Sequence, residues 1–226
     1  MATNIKTKQL ELLLNDFELL AKTALLQLQI ANKLLEDNSI ESLQEEAESN
    51  EIIIDRLEIK VREEVVFTIF QFNPIAADLR QIITYQDITT NLERVGDMLL
   101  NIIHFYKKTN LQHPGFEQIR KLISKMFKYV NEMLRNAILS FSNTDSKLAY
   151  QVIKEDDKVD QLFREIGISL QETFSMKELP KEDIQNIINI NAIAYNLERV
   201  GDSATNIAEA AIYLTEGRDI RHGNKS

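Results

Sequence analysis

The heptapeptide NLERVGD occupies residues 91–97 and returns unchanged at residues 196–202, an offset of 105. Identity over seven consecutive positions in a 226-residue chain marks an internal duplication. The register extends outward. Asn101 and Ile102 match Asn206 and Ile207, Glu51 and Asp55 fall on Asp156 and Asp160, and Asp78 falls on Asp183. Each copy therefore carries two acidic pairs of the form (E/D)xxxD. They are Glu51 with Asp55 and Glu93 with Asp97 in the first copy, Asp156 with Asp160 and Glu198 with Asp202 in the second.

The surrounding sequence reads as helix, where residues i and i+4 share a face. Like charges at that spacing cost a helix about 0.2–0.5 kcal/mol per pair, so the helix itself gains nothing from them. A solvated acidic stripe is the plain alternative, since charged side chains are mostly exposed. Retention of the pairs in register in both copies argues against it. Gly96 and Gly201 add to this, because a mid-helix glycine costs about 1 kcal/mol relative to alanine. With only six glycines in the chain, two at one repeated place imply close approach of a helix or a ligand to the backbone.

Apolar side chains at Leu10, Leu13, Phe17, Leu20, Ala24, Leu28, Ala31 and Leu35 recur in steps of three and four and predict a first helix over 5–36. Asn38 with Glu41 resembles a capped restart, and a second helix follows over 40–71. Asn73 as cap, with Pro74 in the first helical position, opens a third over 74–108. After TNLQHPGF (109–116) the pattern repeats, with helices over 116–141, 146–174 and 181–215. The predicted fold is all-α, six long helices in two tandem antiparallel three-helix bundles packed in series. The bundles span 1–110 and 115–218, and 219–226 form a tail.

The net charge of −9 opposes nucleic-acid binding, which needs a basic face, and favours cations and basic protein surfaces. Cysteine is absent, which removes disulfides, thiolate ligands and a cysteine nucleophile. No apolar run has signal-peptide or membrane-spanning length, so the expectation is a protein that neither leaves by that route nor crosses a bilayer.

The acidic pairs have a common geometry. Glu51 and Asp97 each lie 23 residues from Pro74, and Asp55 and Glu93 each lie 19 away, so a hairpin centred there sets all four level. Asp156, Asp160, Glu198 and Asp202 relate to Leu179 in the same way. Four facing carboxylates repel, and either one takes up a proton or a multivalent cation neutralises them. Arg94 and Arg199 offer the rival solution, a salt bridge to an adjacent helix. The all-oxygen set, with Asn101 and Asn206 as helpers, suits Mg, Ca, Mn or a hard Fe ion over copper, with Zn within reach through carboxylate ligation.

Di-metal oxidase bundles use Glu-x-x-His pairs, and this sequence has none. His104, His113 and His222 lie away from the acidic pairs, and His104 reads as a packing or surface residue. Phosphate-binding glycine loops, nucleophile elbows and HExxH helices are also missing. No catalytic residues are predicted, and a non-enzymatic role is favoured.

With LERVGD followed by NI in both halves, PIAADLR (74–80) opening the third helix and YLTEGRDIRH (213–222) closing the chain, the sequence resembles the PhoU family of phosphate-signalling proteins. The resemblance implies a cytoplasmic negative regulator of phosphate uptake and of the phosphate-starvation response. It would link the ATPase subunit of the phosphate ABC transporter to a membrane sensor histidine kinase, as a homodimer or larger assembly. It also implies metal ions on the eight (E/D)xxxD carboxylates. One departure stands out: DLR at 78–80 becomes DIQ at 183–185, which confines Arg80 to the first half. The alternatives are a carboxylate-bridged metal-binding protein or metalloenzyme, a split cytosolic part of a sodium-phosphate cotransporter, and a structural bundle with solvated acidic stripes.

Overall fold

The computed structural model describes residues 2–36, 41–111, 114–174 and 180–220. Six helices carry the fold: α1 (Ala2–Glu36), α2 (Glu41–Phe72), α3 (Ala76–Lys107), α4 (Glu117–Ser142), α5 (Ser146–Phe174) and α6 (Lys181–Glu216). A single 3₁₀ turn, Pro114–Phe116, precedes α4, and there is no strand among the described residues. The apolar stripes do the expected work. Leu13, Phe17, Leu20, Ala24, Leu28 and Ala31 of α1 are buried, as are Ile82, Tyr85, Ile88, Leu92, Val95, Leu99 and Ile102 of α3. Full burial of a Leu, Ile or Phe side chain contributes about 1.5–3 kcal/mol.

The helix junctions differ from expectation at one place. Residue Asn73 takes a left-handed conformation (φ 44°), and its N–H closes the last turn of α2 onto the Ile69 carbonyl at 3.1 Å. It therefore ends α2 instead of capping α3. Pro74 sits in the reversal, and Ile75 is the N-cap, with no side-chain hydrogen bond. Between α4 and α5 the cap is explicit, the Leu148 N–H donating to Asp145 Oδ1 at 3.1 Å. The Asn38/Glu41 restart and the turn at Leu179 lie outside the described residues.

Helices α1–α3 form one bundle and α4–α6 the other, but the two lie side by side, not end to end. Asn206 Nδ2 of α6 donates to Asn91 Oδ1 of α3 at 3.3 Å, and Asn189 Nδ2 donates to the Lys108 carbonyl at 3.1 Å. These pairings run α3 and α6 antiparallel and bring Gly96 level with Gly201. One hydrophobic core continues through both bundles. Phe17, Tyr85 and Phe141, with ring centroids 5.0–5.6 Å apart, tie α1, α3 and α4 together within it.

Each end of the α3–α6 pair is held by a polar grip. Arg80 lies over the Tyr213 ring, 5.5 Å from its centroid, beside the left-handed Gly217 (φ 70°) that caps α6. A Cβ at residue 217 would stand 2.6 Å from Arg80 Nη1. At the far end, Asn186 Oδ1 accepts the Asn110 N–H at 3.0 Å, and Gln185, the counterpart of Arg80, donates to Asn189 Oδ1 at 3.0 Å. Arg80 thus reaches across the bundles, whereas Gln185 bonds only within α6, to the Asn189 whose amide donates to the Lys108 carbonyl.

Candidate functional site

The level placement inferred from the sequence holds in three dimensions. Glu51 of α2 faces Asp97 of α3, with Asp55 and Glu93 the next carboxylates around it. In the second bundle Asp156 and Asp160 of α5 meet Asp202 and Glu198 of α6. Neighbouring backbone makes room for them. A Cβ on Gly96 would fall 2.8 Å from Glu51 Oε2 and 2.8 Å from Ile54 Cδ1. At Gly201 the nearest atom would be Val159 Cγ1 at 3.3 Å, with Asp156 Oδ1 at 3.8 Å. What approaches both glycines is therefore the neighbouring helix, carrying a carboxylate in the first bundle.

Burial and mutual repulsion work in one direction on these groups. Glu51 is 7% exposed, its oxygens receive no hydrogen bond from an N–H or hydroxyl donor, and the group it faces at hydrogen-bonding reach is the Asp97 carboxylate. Burial first, then Asp97, Asp55 and Glu93, push its pKa up to about 8, so it holds its proton at neutral pH. Glu93 is raised by burial, then by Asp97, Glu58 and Asp55, against an opposing pull from Arg94. In the second group, burial and then Asp202 and Asp160 bring Asp156 to about 6. Burial followed by the same two aspartates brings Glu198 to about 7, against the pull of Arg199. One Glu198 oxygen, Oε2, is also buried without a partner.

The remaining predicted groups lie at the edge of these clusters. Arg199 turns onto Asp202 of its own helix at 3.9 Å, and Arg164 reaches Asp160 of its own helix at 4.0 Å. Asn206 spends its amide on Asn91, and Asn101 lines the groove between α3 and α6. That groove, about 1480 Å³, is also lined by Asp97, Asp156, Asp160 and Asp202, so carboxylates of both bundles open onto it. His104 sits at the surface 3.8 Å from Glu48, and His113 and His222 lie outside the described residues. Among the described residues no three donors stand close enough to form a finished cation site.

A carboxylate that repeat reasoning misses is Glu58. It is 8% exposed, contributes to the field on Glu93 and pairs with Arg62. Its counterpart 105 residues on is Phe163, so a search by repetition passes over it. The signal available was spacing: Glu51, Asp55 and Glu58 form an i, i+4, i+7 row.

The PhoU domain model matches this chain twice, over residues 17–105 and 123–211. The chain belongs to the PhoU family. Its matched relatives include a phosphate-specific transport system accessory protein PhoU homolog of Clostridium acetobutylicum, 31% identical, covering 74% of this chain and 75% of the relative. Another, from Aquifex aeolicus, is 31% identical over 85% of this chain and 84% of its own length. The crystal structure of PhoU from Pseudomonas aeruginosa superposes with a TM-score of 0.84 at 26% identity, covering 94% of this chain and 99% of that one. The phosphate transport system regulatory protein PhoU of Streptococcus pneumoniae shares the fold (TM-score 0.80, 20% identity, 95% of this chain and 98% of that one).

Proposed function

We propose that this chain is a non-enzymatic accessory regulator of phosphate uptake, acting in the cytoplasm. In this role it restrains the phosphate-starvation response, docking onto the ATPase subunit of the phosphate ABC transporter and onto a sensor histidine kinase, and working as a homodimer. The observation that carries this reading is the match over both repeats to relatives named as accessory proteins of phosphate-specific transport. No helix of the described residues is long and apolar enough to cross a membrane, so attachment to a membrane transporter would run through protein partners.

The two acidic groups fit metal binding. Glu51, Asp55, Glu93 and Asp97 would hold one set of ions, and Asp156, Asp160, Glu198 and Asp202 the other. The crowding of Glu51 against Asp97 and the buried, unpartnered Oε2 of Glu198 support this, since buried carboxyls that meet no basic or N–H donor are costly until something satisfies them. Bound Mg, Mn, Fe, Zn or Ca would supply positive charge to oxygens that otherwise repel.

Two experiments test the reading. Affinity capture from cells grown in ample phosphate should recover the transporter's ATPase subunit and the kinase; recovery of neither overturns the adaptor role. Elemental analysis of protein purified without chelator should find stoichiometric metal that disappears in an Asp97→Ala/Asp202→Ala variant. Equal metal in both proteins would remove the acidic groups from the mechanism.

A further inference from the structure

The duplication supplies an internal control for the protein surface. On α2, Ile52, Ile59 and Val66 recur every seven residues and are exposed. Their counterparts on α5, 105 residues on, are Asp157, Arg164 and Gln171, also exposed. On α1, Leu12, Leu19 and Leu26 recur every seven residues and are exposed. The burial pattern of α4 follows that of α1 at an offset of 106 (Leu13 to Ile119, Phe17 to Ile123, Ala24 to Val130). The counterparts of the three leucines are therefore Gln118, Lys125 and Glu132, all exposed. Two copies of one fold thus expose the same positions, apolar in one and polar in the other. Folding does not require apolar residues there, so the apolar face of the first bundle serves contact with something else.

The two rows adjoin, because Lys60 of α2 pairs with Asp16 of α1 at 2.7 Å and fixes the helices side by side. The face is a ridged strip that repeats at helical spacing, which another helix surface matches along its length. Its charges select the occupant. Arg56 and Glu63, also seven apart, lie exposed among the α2 apolar residues, and among the described residues neither has an ion-pair partner in its own chain. A parallel copy would set Arg56 on Arg56 and Glu63 on Glu63. An antiparallel copy sets Arg56 on Glu63 of the partner copy twice over, with Ile53 against Val66 and Ile52 against Phe67. A foreign helix of uniform charge would satisfy one of the two and repel the other.

We propose that the outer face of α2, flanked by α1, is a self-complementary surface on which a second copy of this chain docks antiparallel about a two-fold axis. This deepens the homodimer reading by giving it a surface. Sedimentation equilibrium on the full chain at micromolar concentration tests it. The wild type should be dimeric, and Ile59→Asp monomeric. Arg56→Glu or Glu63→Arg alone should weaken the dimer about tenfold or more, since each places like charges together twice. The double swap should return the dimer to within about threefold of wild type, because opposite charges face again. Arg164→Glu, on the matching face of the second bundle, should leave association unchanged. A dimer indifferent to the single swaps, or a double swap no tighter than the weaker single, overturns this surface while leaving the homodimer reading intact. A monomeric wild type overturns both. Thermal unfolding of each variant confirms that the exposed substitutions leave the fold in place.

Discussion

The two acidic groups share a backbone and four matched carboxylates, yet they differ in their hold on a proton. In the first, a glutamate reaches further in than the aspartate at the same place in the second. Glu51 is 7% exposed and is pushed to about 8, whereas Asp156 reaches about 6. The backbone opposite has adapted, with Gly96 lying against the Glu51 carboxylate and Gly201 against the edge of a valine. The second group also keeps guanidinium groups of Arg164 and Arg199 at its margin. One methylene of side-chain length, and the room made for it, separates a carboxyl that is neutral at pH 7 from one that is mostly ionised.

The largest expected effect breaks this difference directly. Glu51 binds its proton more tightly folded (about 8) than unfolded (4.5). Its contribution is fully present below pH 4.5 and is lost as pH rises through 8. Metal-free wild type should therefore lose up to about 1.4 kcal/mol of stability per pH unit from this group across that window. Glu51→Gln should remove that slope and leave the protein more stable above pH 7, by about 2–3 kcal/mol, or roughly 4–12 °C in Tm. Asp156→Asn should act in the same direction, its window closing near pH 6. Thermal unfolding between pH 5 and pH 9 in chelator measures both. If the Glu51→Gln and wild-type curves run parallel, the buried, protonated Glu51 is wrong.

Much of this site could be read from the sequence, because repetition fixes register. Seven identical residues set the offset, and the distances from Pro74 set Glu51 level with Asp97 before any coordinates. Repetition has a matching blind spot. Glu58, replaced by Phe163 in the second copy, escaped it, although helical spacing alone places it in the same row. The side-by-side packing escaped for another reason. A single apolar stripe accounts for one buried face, but α3 and α6 are buried on a second as well, through Thr84, Thr89, Asn186, Asn189 and Ser203. Asn186 and Asn189 pair across to Asn110 and Lys108, Thr84 bonds back to Arg80 of its own helix, and small polar residues of this kind carry no hydrophobic period. The Asn73 cap failed because a cap and a left-handed helix stop both favour asparagine.

Cation uptake should sharpen the comparison with a smaller effect. A metal ion bound at neutral pH displaces the Glu51 proton, so affinity at the first group should rise up to about tenfold per pH unit until near pH 8. At the second group the rise should level off near pH 7, where Glu198 is half ionised. Calorimetric titration with Mn(II) in buffers of differing ionisation heat counts the protons released. Asp202→Ala isolates the first group and Asp97→Ala the second. Equal proton release from the two variants at pH 7 contradicts the assignment.

The glycines differ by less again. Gly96→Ala gains helix propensity of about 1 kcal/mol, but its Cβ lands on Glu51 and Ile54, and forcing a packed contact costs about 1–3 kcal/mol. A net loss of about 1 kcal/mol is expected, together with a fall in the Glu51 pKa as its carboxyl is pushed outward. Gly201→Ala meets only Val159 Cγ1, so it should be neutral or slightly stabilising. Urea denaturation of the two variants reads the difference, and equal losses would show that the two helix contacts are equally tight.

The smallest effect comes from the arginines at the margin. Arg199 is half exposed and lies 3.9 Å from Asp202, so its removal should cost less than about 1 kcal/mol. Its influence should show instead on a neighbour, because Arg199 opposes the burial and repulsion that raise Glu198. Arg199→Ala should move the Glu198 titration further up, and Arg94→Ala should do the same to Glu93. Carboxyl-carbon NMR titration follows each glutamate separately. A shift after both substitutions would show that each arginine tunes its own cluster from the same helix. No shift after either would mean that solvent already screens the guanidinium, leaving burial and the facing aspartates as the whole cause of the raised values.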